Sequence, residues 1–431
     1  MNYEETLSYL YHSTPLFQHV GKAGYKEGLH NSHLLDEHFD HPHASYKTIH
    51  IAGTNGKGSC AHTLAAILQA SGYRVGLYTS PHLADFRERI RVNGVPIPEE
   101  RVIKFVADER NFFEPLHPSF FELTTTMAFF YFKEAKVDIA VIEVGLGGRL
   151  DCTNIISPIL SIITNISFDH TEFLGKSLPE RAREKAGIIK RTTPIIIGET
   201  HTETKPVFIE KAKEECAPIL FAEEAPSIMS SQPNVEQGGI DYTTKAGLHI
   251  HGELGGLYQE KNTNTILTAI EALRLQNLPI SDNAICEGFS HVCDLTGLMG
   301  RWQKVCDKPT VVCDTGHNEG GFAYLSKQLR AQKCKQLRIV IGMVNDKDIR
   351  GVMSQLPINA RYYFTKANIP RALHENEVNH VATTFGLKGE AYATVGEAYT
   401  AAINDSDPKD FIFVGGSSYI VADFIVLLRK A

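Results

Sequence analysis

A chain of 431 residues, 43% hydrophobic and 22% charged, is long enough for two or three domains with substantial cores. Those fractions exclude intrinsic disorder, collagen-like sequence and coiled coils. A formal charge of −7 without a Lys/Arg-rich block excludes the broad basic footprint of a non-specific nucleic-acid binder, while leaving room for a local anion site.

From residue 47, short β-branched runs alternate with helical text, as a parallel α/β sheet requires, because parallel neighbours need a crossover between them. KTIHIAG (47–53), YRVGLYT (73–79), DIAVIEVG (138–145), ILSIITNI (159–166) and PIIIG (194–198) predict strands buried on both faces. GSCAHTLAAILQASG and FELTTTMAFFYFKEA predict helices between them. Residues 222–258 read as a loop with small antiparallel strands around Ile240–Thr243 and Leu248–His251. Helices are expected at about 261–276 and 281–290, and a linker at Gly297 and Gly300 places a domain boundary near 297. Beyond it, TVVCDTG, LRIVIGMV, ARYYFT and DFIFVGG predict a second α/β series. The N-terminus carries acids where a signal peptide carries Lys or Arg, and no apolar run approaches the ~20 residues that span a bilayer. The expectation is a cytoplasmic, monomeric protein with no membrane or nucleic-acid partner. The eight scattered cysteines contain no C-x-x-C pair, so reduced thiols are expected rather than a zinc site or disulfide framework.

The strongest local signal is IHIAGTNGKGSCAHTLAAIL, a strand entering a glycine-rich turn, a lysine and a helix. Backbone N–H groups of such a turn point at a phosphate, Lys57 adds a point charge, and a nearby hydroxyl can meet Mg²⁺. Ser80 and His170 each follow a predicted strand and Glu143 stands at the carboxyl end of one, which brings the three to the same carboxyl edge. Glu143 reads either as a magnesium ligand or as a buried carboxylate held by Arg149, since a lone carboxylate there is costly. Taken alone, Lys185 reads as a surface lysine, Asp314 as a helix cap and His317 as an exposed histidine.

In order, GTNGKGS, SPHL, FFELTT, EVGLGGRLDCTN, ITNI-x-x-DH, EKAGI, GRWQ, D-x-GHN, DKD, PRAL and GSSYIV resemble the folylpolyglutamate synthase/dihydrofolate synthase family of the Mur ligase superfamily. The resemblance implies an α/β fold. A P-loop-containing parallel-sheet ATPase domain (1–297, the Mur ligase-like central domain) would precede a smaller Rossmann-like α/β domain (298–431, the glutamate ligase domain). It implies an ATP-dependent ligase that joins L-glutamate to dihydropteroate and to folates.

The family pattern puts nucleotide at Gly53, Thr54, Asn55, Gly56, Lys57, Gly58 and Ser59, with Asn262, Arg301 and Asp314 completing the ATP site. Mg²⁺ would sit on Ser80, Glu143 and His170, and Lys185 would be a lysine carbamylated by CO₂. Catalysis would involve Lys185 and His317. The pterin or folate would meet Ser119, Phe120, Phe121, Glu122, Leu150, Asp151 and Cys152. Three departures from the pattern stand out: Tyr258-Gln259 where His-Gln is usual, DTGHNE in place of D-x-A-H-N-P, and Met299 where proline commonly precedes GR. Two other readings share the phosphate loop: a Mur-type ligase acting on a UDP-sugar peptide, and a nucleotide-dependent switch without ligase chemistry.

Overall fold

The computed structural model describes residues 1–13, 28–169, 175–234, 236–345 and 347–430. The chain forms two compact units. The first takes in most of residues 1–298, and the second holds Met299 onward together with Leu254–Gln259 and the short stretch at Phe168–Asp169. The units therefore do not follow a single cut in the chain near 297. Side-chain bonds explain the exceptions: Tyr258 is tied to Asp314, the Leu257 N–H to Gln328, and Asp169 to three groups of the second unit.

The first unit is built on eight strands: β1 (Lys47–Ala52), β2 (Val75–Tyr78), β3 (Ile90–Val92), β4 (Val95–Pro96), β5 (Ile139–Glu143), β6 (Leu160–Ile163), β7 (Ile195–Ile197) and β8 (Ile219–Phe221). Their order is β4-β3-β2-β5-β1-β6-β7-β8. The run from β2 to β8 is parallel, and β3 and β4 add an antiparallel edge. The five strands expected from the apolar runs are present, buried through most of their length because helices cover both faces. The β3–β4 hairpin falls in RIRVNGVP, where Asn93-Gly94 turns the chain with both residues at positive φ. The Asn-Gly dipeptide is the local sequence signal for this hairpin.

Three further strands, β9 (Ile228–Pro233), β10 (Ile240–Thr244) and β11 (His249–Gly252), form a small antiparallel sheet. The strand β9 lies in text expected to be loop. Its exposed Met229, Ser230, Gln232 and Pro233 have little apolar periodicity, and pairing with β10 rather than intrinsic pattern makes it a strand.

The second unit carries β12 (Gln303–Asp307), β13 (Thr310–Asp314), β14 (Leu337–Ile341), β15 (Arg361–Phe364), β16 (Lys388–Ala391) and β17 (Phe411–Gly415), in the order β12-β13-β17-β14-β15-β16. Only β12 runs antiparallel to its neighbour. Among the described residues no helix is long and apolar enough to cross a membrane.

In the first unit, the chain leaves β1 toward β2 on one side and leaves β6 toward β7 on the other. The carboxyl ends of β1 and β6 thus flank a topological switch point, where open α/β sheets bind ligands. The loops there are stitched together. Thr54 N–H donates to Asn165 O at 3.0 Å, Asn55 N–H donates to Asn165 Oδ1 at 2.9 Å, and Thr164 Oγ1 donates to Asn55 O at 2.6 Å. This stitching requires glycine at 53: its φ is +149°, and a β-carbon would stand 1.8 Å from Thr164 Oγ1. Replacing Gly53 with Ala should destabilise the protein by on the order of 1–3 kcal/mol and weaken nucleotide binding in parallel, as read by chemical denaturation and an ADP titration.

Candidate functional site

The helix Lys57–Ala70 starts directly from the turn, with Gly56 at its N-cap in the left-handed region. A β-carbon on Gly56 would lie 2.3 Å from Asn262 Oδ1, so Asn262 packs directly on the turn. Lys57 folds back over the loop, its Nζ donating to Gly53 O at 3.1 Å and Thr54 O at 3.2 Å. The loop thereby presents a helix N-terminus and a cation to one place, which is the chemistry that polyphosphate needs.

Lys185 reaches the same carbonyl. It lies on the helix Leu178–Ala186, is 3% exposed, and donates from Nζ to Gly53 O at 3.0 Å. The surface reading of this lysine is therefore wrong. The motif's helix faces inward because Arg181, Ala182, Lys185 and Ala186 are all buried, a stripe at helical spacing in which Arg181 and Lys185 are residues that a hydropathy pattern scores as exposed.

Glu143 ends β5 beside β1 and is 4% exposed, its Oε2 accepting the Ser80 N–H at 3.1 Å. Arg149, the alternative partner, pairs with Glu184 at 2.9 Å. Ser80 and Glu143 thus meet, as expected from their shared sheet edge, while His170 lies outside the described residues. Among the described residues no cluster of three His, Cys, Asp or Glu side chains is placed to hold a metal. A buried carboxylate and a hydroxyl are nonetheless hard oxygen donors of the kind Mg²⁺ takes alongside substrate phosphates, so the pair fits that cation.

The stretch expected to meet the pterin begins as a helix start. Ser119 Oγ accepts the Glu122 N–H at 3.2 Å and Glu122 Oε2 accepts the Ser119 N–H at 2.6 Å, a capping box for Phe120–Glu134. Ser119 and Glu122 thus hold one another. Phe120 is buried beneath the Arg89 guanidinium at 5.2 Å. Phe121 is half-buried, tilted against Tyr78 with centroids 5.8 Å apart, and a β-carbon on Gly145 would meet its ring at 2.4 Å. Leu150 and Cys152 are partly exposed, and Asp151 is buried between them. Burial pushes the Cys152 thiol well above its ordinary range.

In the second unit, Asp314 caps no helix. The cap of Glu319–Arg330 is Asn318, whose Oδ1 accepts the Gly321 N–H at 2.9 Å. Asp314 is buried, and its Oδ2 accepts from the Tyr258 hydroxyl at 2.6 Å and the Trp302 N–H at 2.7 Å, while Oδ1 accepts the Gly316 N–H at 2.8 Å. Burial raises the Asp314 pKa, opposed by these donors and by Arg301. The tyrosine found where the family carries histidine therefore supplies a hydroxyl donor to the expected ATP-site aspartate. Arg301 donates to the Thr315 hydroxyl and to Gly300 O.

His317 is a third exposed and sits between Thr315 O at 3.0 Å from Nδ1 and Asp169 Oδ2 at 3.1 Å from Nε2. Both ring nitrogens thus lie within hydrogen-bond distance of an oxygen, one of the backbone and one of a carboxylate. Asp169 also accepts from Asn318 Nδ2 at 3.1 Å and from the buried ammonium of Lys347. Asp169 and Lys347 stand in the DH and DKD motifs, and their pairing across 178 positions has no local sequence signal.

Known proteins resemble this chain in both sequence and fold. Residues 51–270 match the Mur ligase middle domain and residues 300–418 the Mur ligase glutamate ligase domain. The chain is 34% identical over 385 residues to the dihydrofolate synthase/folylpolyglutamate synthase of Escherichia coli K12, covering 86% of this chain and 84% of that protein. The structure of E. coli FolC in complex with DHPP and ADP superposes with a TM-score of 0.83 at 30% identity, covering 100% of this chain and 99% of the other. The bifunctional enzyme from Yersinia pestis complexed with AMPPNP and Mn ion gives 0.81 at 29% identity, over 100% and 98% of the two chains.

The fold and the nucleotide loop define an ATP-dependent ligase of the Mur type. Within that class, the chain belongs to the dihydrofolate synthase/folylpolyglutamate synthase family. Replacing Lys57 with Ala should lower ADP affinity by roughly tenfold or more, as for loss of a charge-assisted phosphate contact. Isothermal titration would measure this, with the unliganded melting temperature little changed.

Proposed function

We propose that this chain ligates L-glutamate to dihydropteroate, giving dihydrofolate, and to reduced folates, giving polyglutamates, at the expense of ATP. The observation that carries the reading is the convergence of two lysine ammonium groups, Lys57 and Lys185, on the carbonyl of Gly53 at the switch point of a parallel sheet. Residues 1–297 supply the nucleotide chemistry in this reading, and residues 298–431 handle glutamate.

A carboxylate does not acylate an amine at neutral pH, because its carbon is shielded by charge and it lacks a leaving group. Phosphorylation removes both obstacles. A carboxylate oxygen of the acceptor attacks the γ-phosphorus, the bond to the β-phosphate oxygen breaks, and ADP departs. The uncharged amine of glutamate then attacks the acyl carbon, the bond to the phosphate oxygen breaks, and the amine proton is lost as the amide forms. Lys57 neutralises charge that spreads over the phosphoryl oxygens. Mg²⁺ bound at Glu143 and Ser80, with His170 as the family's third ligand, would add Lewis-acid charge stabilisation there. In the second unit, the Lys347 ammonium and the His317 ring are held by Asp169, and such donors suit an α- or γ-carboxylate of glutamate.

Lys185 is proposed to act as its carbamate, formed by attack of the neutral amine on CO₂ with loss of a proton. Its depth in the fold and contact with the phosphate loop support this role, since a carboxylate at that point would order cationic and phosphate-binding groups around it. Lys185→Ala should nearly abolish turnover, high bicarbonate should fail to restore it, and short carboxylic acids should restore part of it; full activity in this variant overturns the assignment. His317→Ala should raise the glutamate KM or lower kcat, and unchanged values for both would remove His317 from the glutamate contact.

The function itself is tested by ADP release with Mg-ATP and L-glutamate, comparing dihydropteroate with tetrahydrofolate. Both acceptors should stimulate release. Stimulation by tetrahydrofolate alone restricts the chain to chain extension, and stimulation by neither rejects the folate reading.

A further inference from the structure

Asp151 lies in the segment proposed to receive the pterin end of the acceptor, yet its carboxylate is already engaged. It is 5% exposed. Oδ1 accepts the Thr153 N–H at 3.0 Å and the Thr153 hydroxyl at 2.5 Å, Oδ2 accepts the Leu146 N–H at 2.9 Å, and the Gly145 N–H is a fourth donor. An ionised carboxylate offers about four lone-pair sites, and its own segment occupies them.

The network continues inward. The one proton of the Thr153 hydroxyl goes to Asp151, so the 2.8 Å contact with His50 Nε2 has the ring N–H as donor. This assigns the Nε2–H tautomer and leaves Nδ1 bare, and that buried nitrogen has no hydrogen-bond partner among the described residues. His50 is fully buried in β1, where burial, reinforced by Lys190, depresses its pKa to about 3. It is thus a neutral, single-donor group, three residues before Gly53.

The outer end of the network reaches an aromatic surface. The N–H groups that Asp151 grips belong to Gly145 and Leu146, and a β-carbon on Gly145 would touch the Phe121 ring. The backbone held by Asp151 is therefore the backbone that lies on Phe121.

We infer that His50 and Thr153 are positioning residues for acceptor binding. The line from His50 through Thr153 and Asp151 to the Gly145–Leu146 backbone sets that backbone against Phe121. The strand that launches the phosphate loop thereby also anchors the acceptor loop. This inference rests on the proposal that Phe121 and Leu150–Cys152 receive the pterin.

The test is Thr153→Val, which keeps shape and removes the hydroxyl, against Thr153→Ser, which keeps it. Thr153→Val should raise the dihydropteroate KM roughly tenfold or more, with kcat and the ATP KM within about threefold of the unmutated enzyme; Thr153→Ser should stay near the unmutated values. ADP affinity, measured on the same preparations, reports folding of the nucleotide site. A Thr153→Val enzyme that binds ADP normally and keeps its dihydropteroate KM overturns the inference, and does so most clearly if Asp151→Asn alone raises that KM, as for a direct ligand.

If Thr153→Val fails to bind ADP, the His50 pair decides. His50→Gln places an amide N–H near the Nε2 position and should preserve the acceptor KM, whereas His50→Leu should raise it; equal acceptor KM values for the two reject the relay. Absence of dihydropteroate-stimulated ADP release by the unmutated chain would instead reject the underlying function.

Discussion

Two ammonium groups in the first unit share one acceptor, the carbonyl oxygen of Gly53, Lys57 from the helix that follows the loop and Lys185 from a helix far along the chain. Like charges brought to one carbonyl repel, and burial of Lys185 sharpens the conflict. The negative charge of a polyphosphate offsets that repulsion. The other features of this edge serve that point. Gly53 and Gly56 let the backbone approach Thr164 and Asn262, the Asn165 side chain holds the Asn55 N–H, and Glu143 closes on the Ser80 backbone.

The second unit shows the same principle with signs reversed. Two buried carboxylates, Asp314 and Asp169, are each surrounded by donors: a phenol and two backbone N–H groups for the first, an imidazole, an amide and an ammonium for the second. A buried carboxylate is tolerable only when so satisfied. The donors that satisfy it are in turn held in place, so each aspartate organises a polar surface. Tyr258 illustrates how a departure from the family pattern is absorbed, because its hydroxyl reaches the carboxylate that anchors this cluster.

Much of the architecture follows from local text. Near-continuous Ile/Val runs forced buried parallel strands, since no amphipathic face is available to them, and GTNGKGS had only one compact way to pass from strand to helix. Pattern reading failed where a neighbour, not the segment, supplied the structure. The strand β9 exists because β10 pairs with it. The capping box of Ser119 and Glu122, by contrast, is written locally as S-x-x-E.

The sequence by itself determined the strand positions, the phosphate loop and the family to which its ordered motifs belong, because each depends on residues within a turn or a period of one another. Tertiary structure alone decided which polar groups share a carboxylate or a carbonyl. Lys185 meets Gly53 across 132 residues, His50 meets Thr153 across 103, and Asp169 meets His317 and Lys347 across 148 and 178. Such pairs leave no periodic trace, because their partners are selected by the sheet order and by the need to satisfy buried charge, and both exist only once the chain has folded.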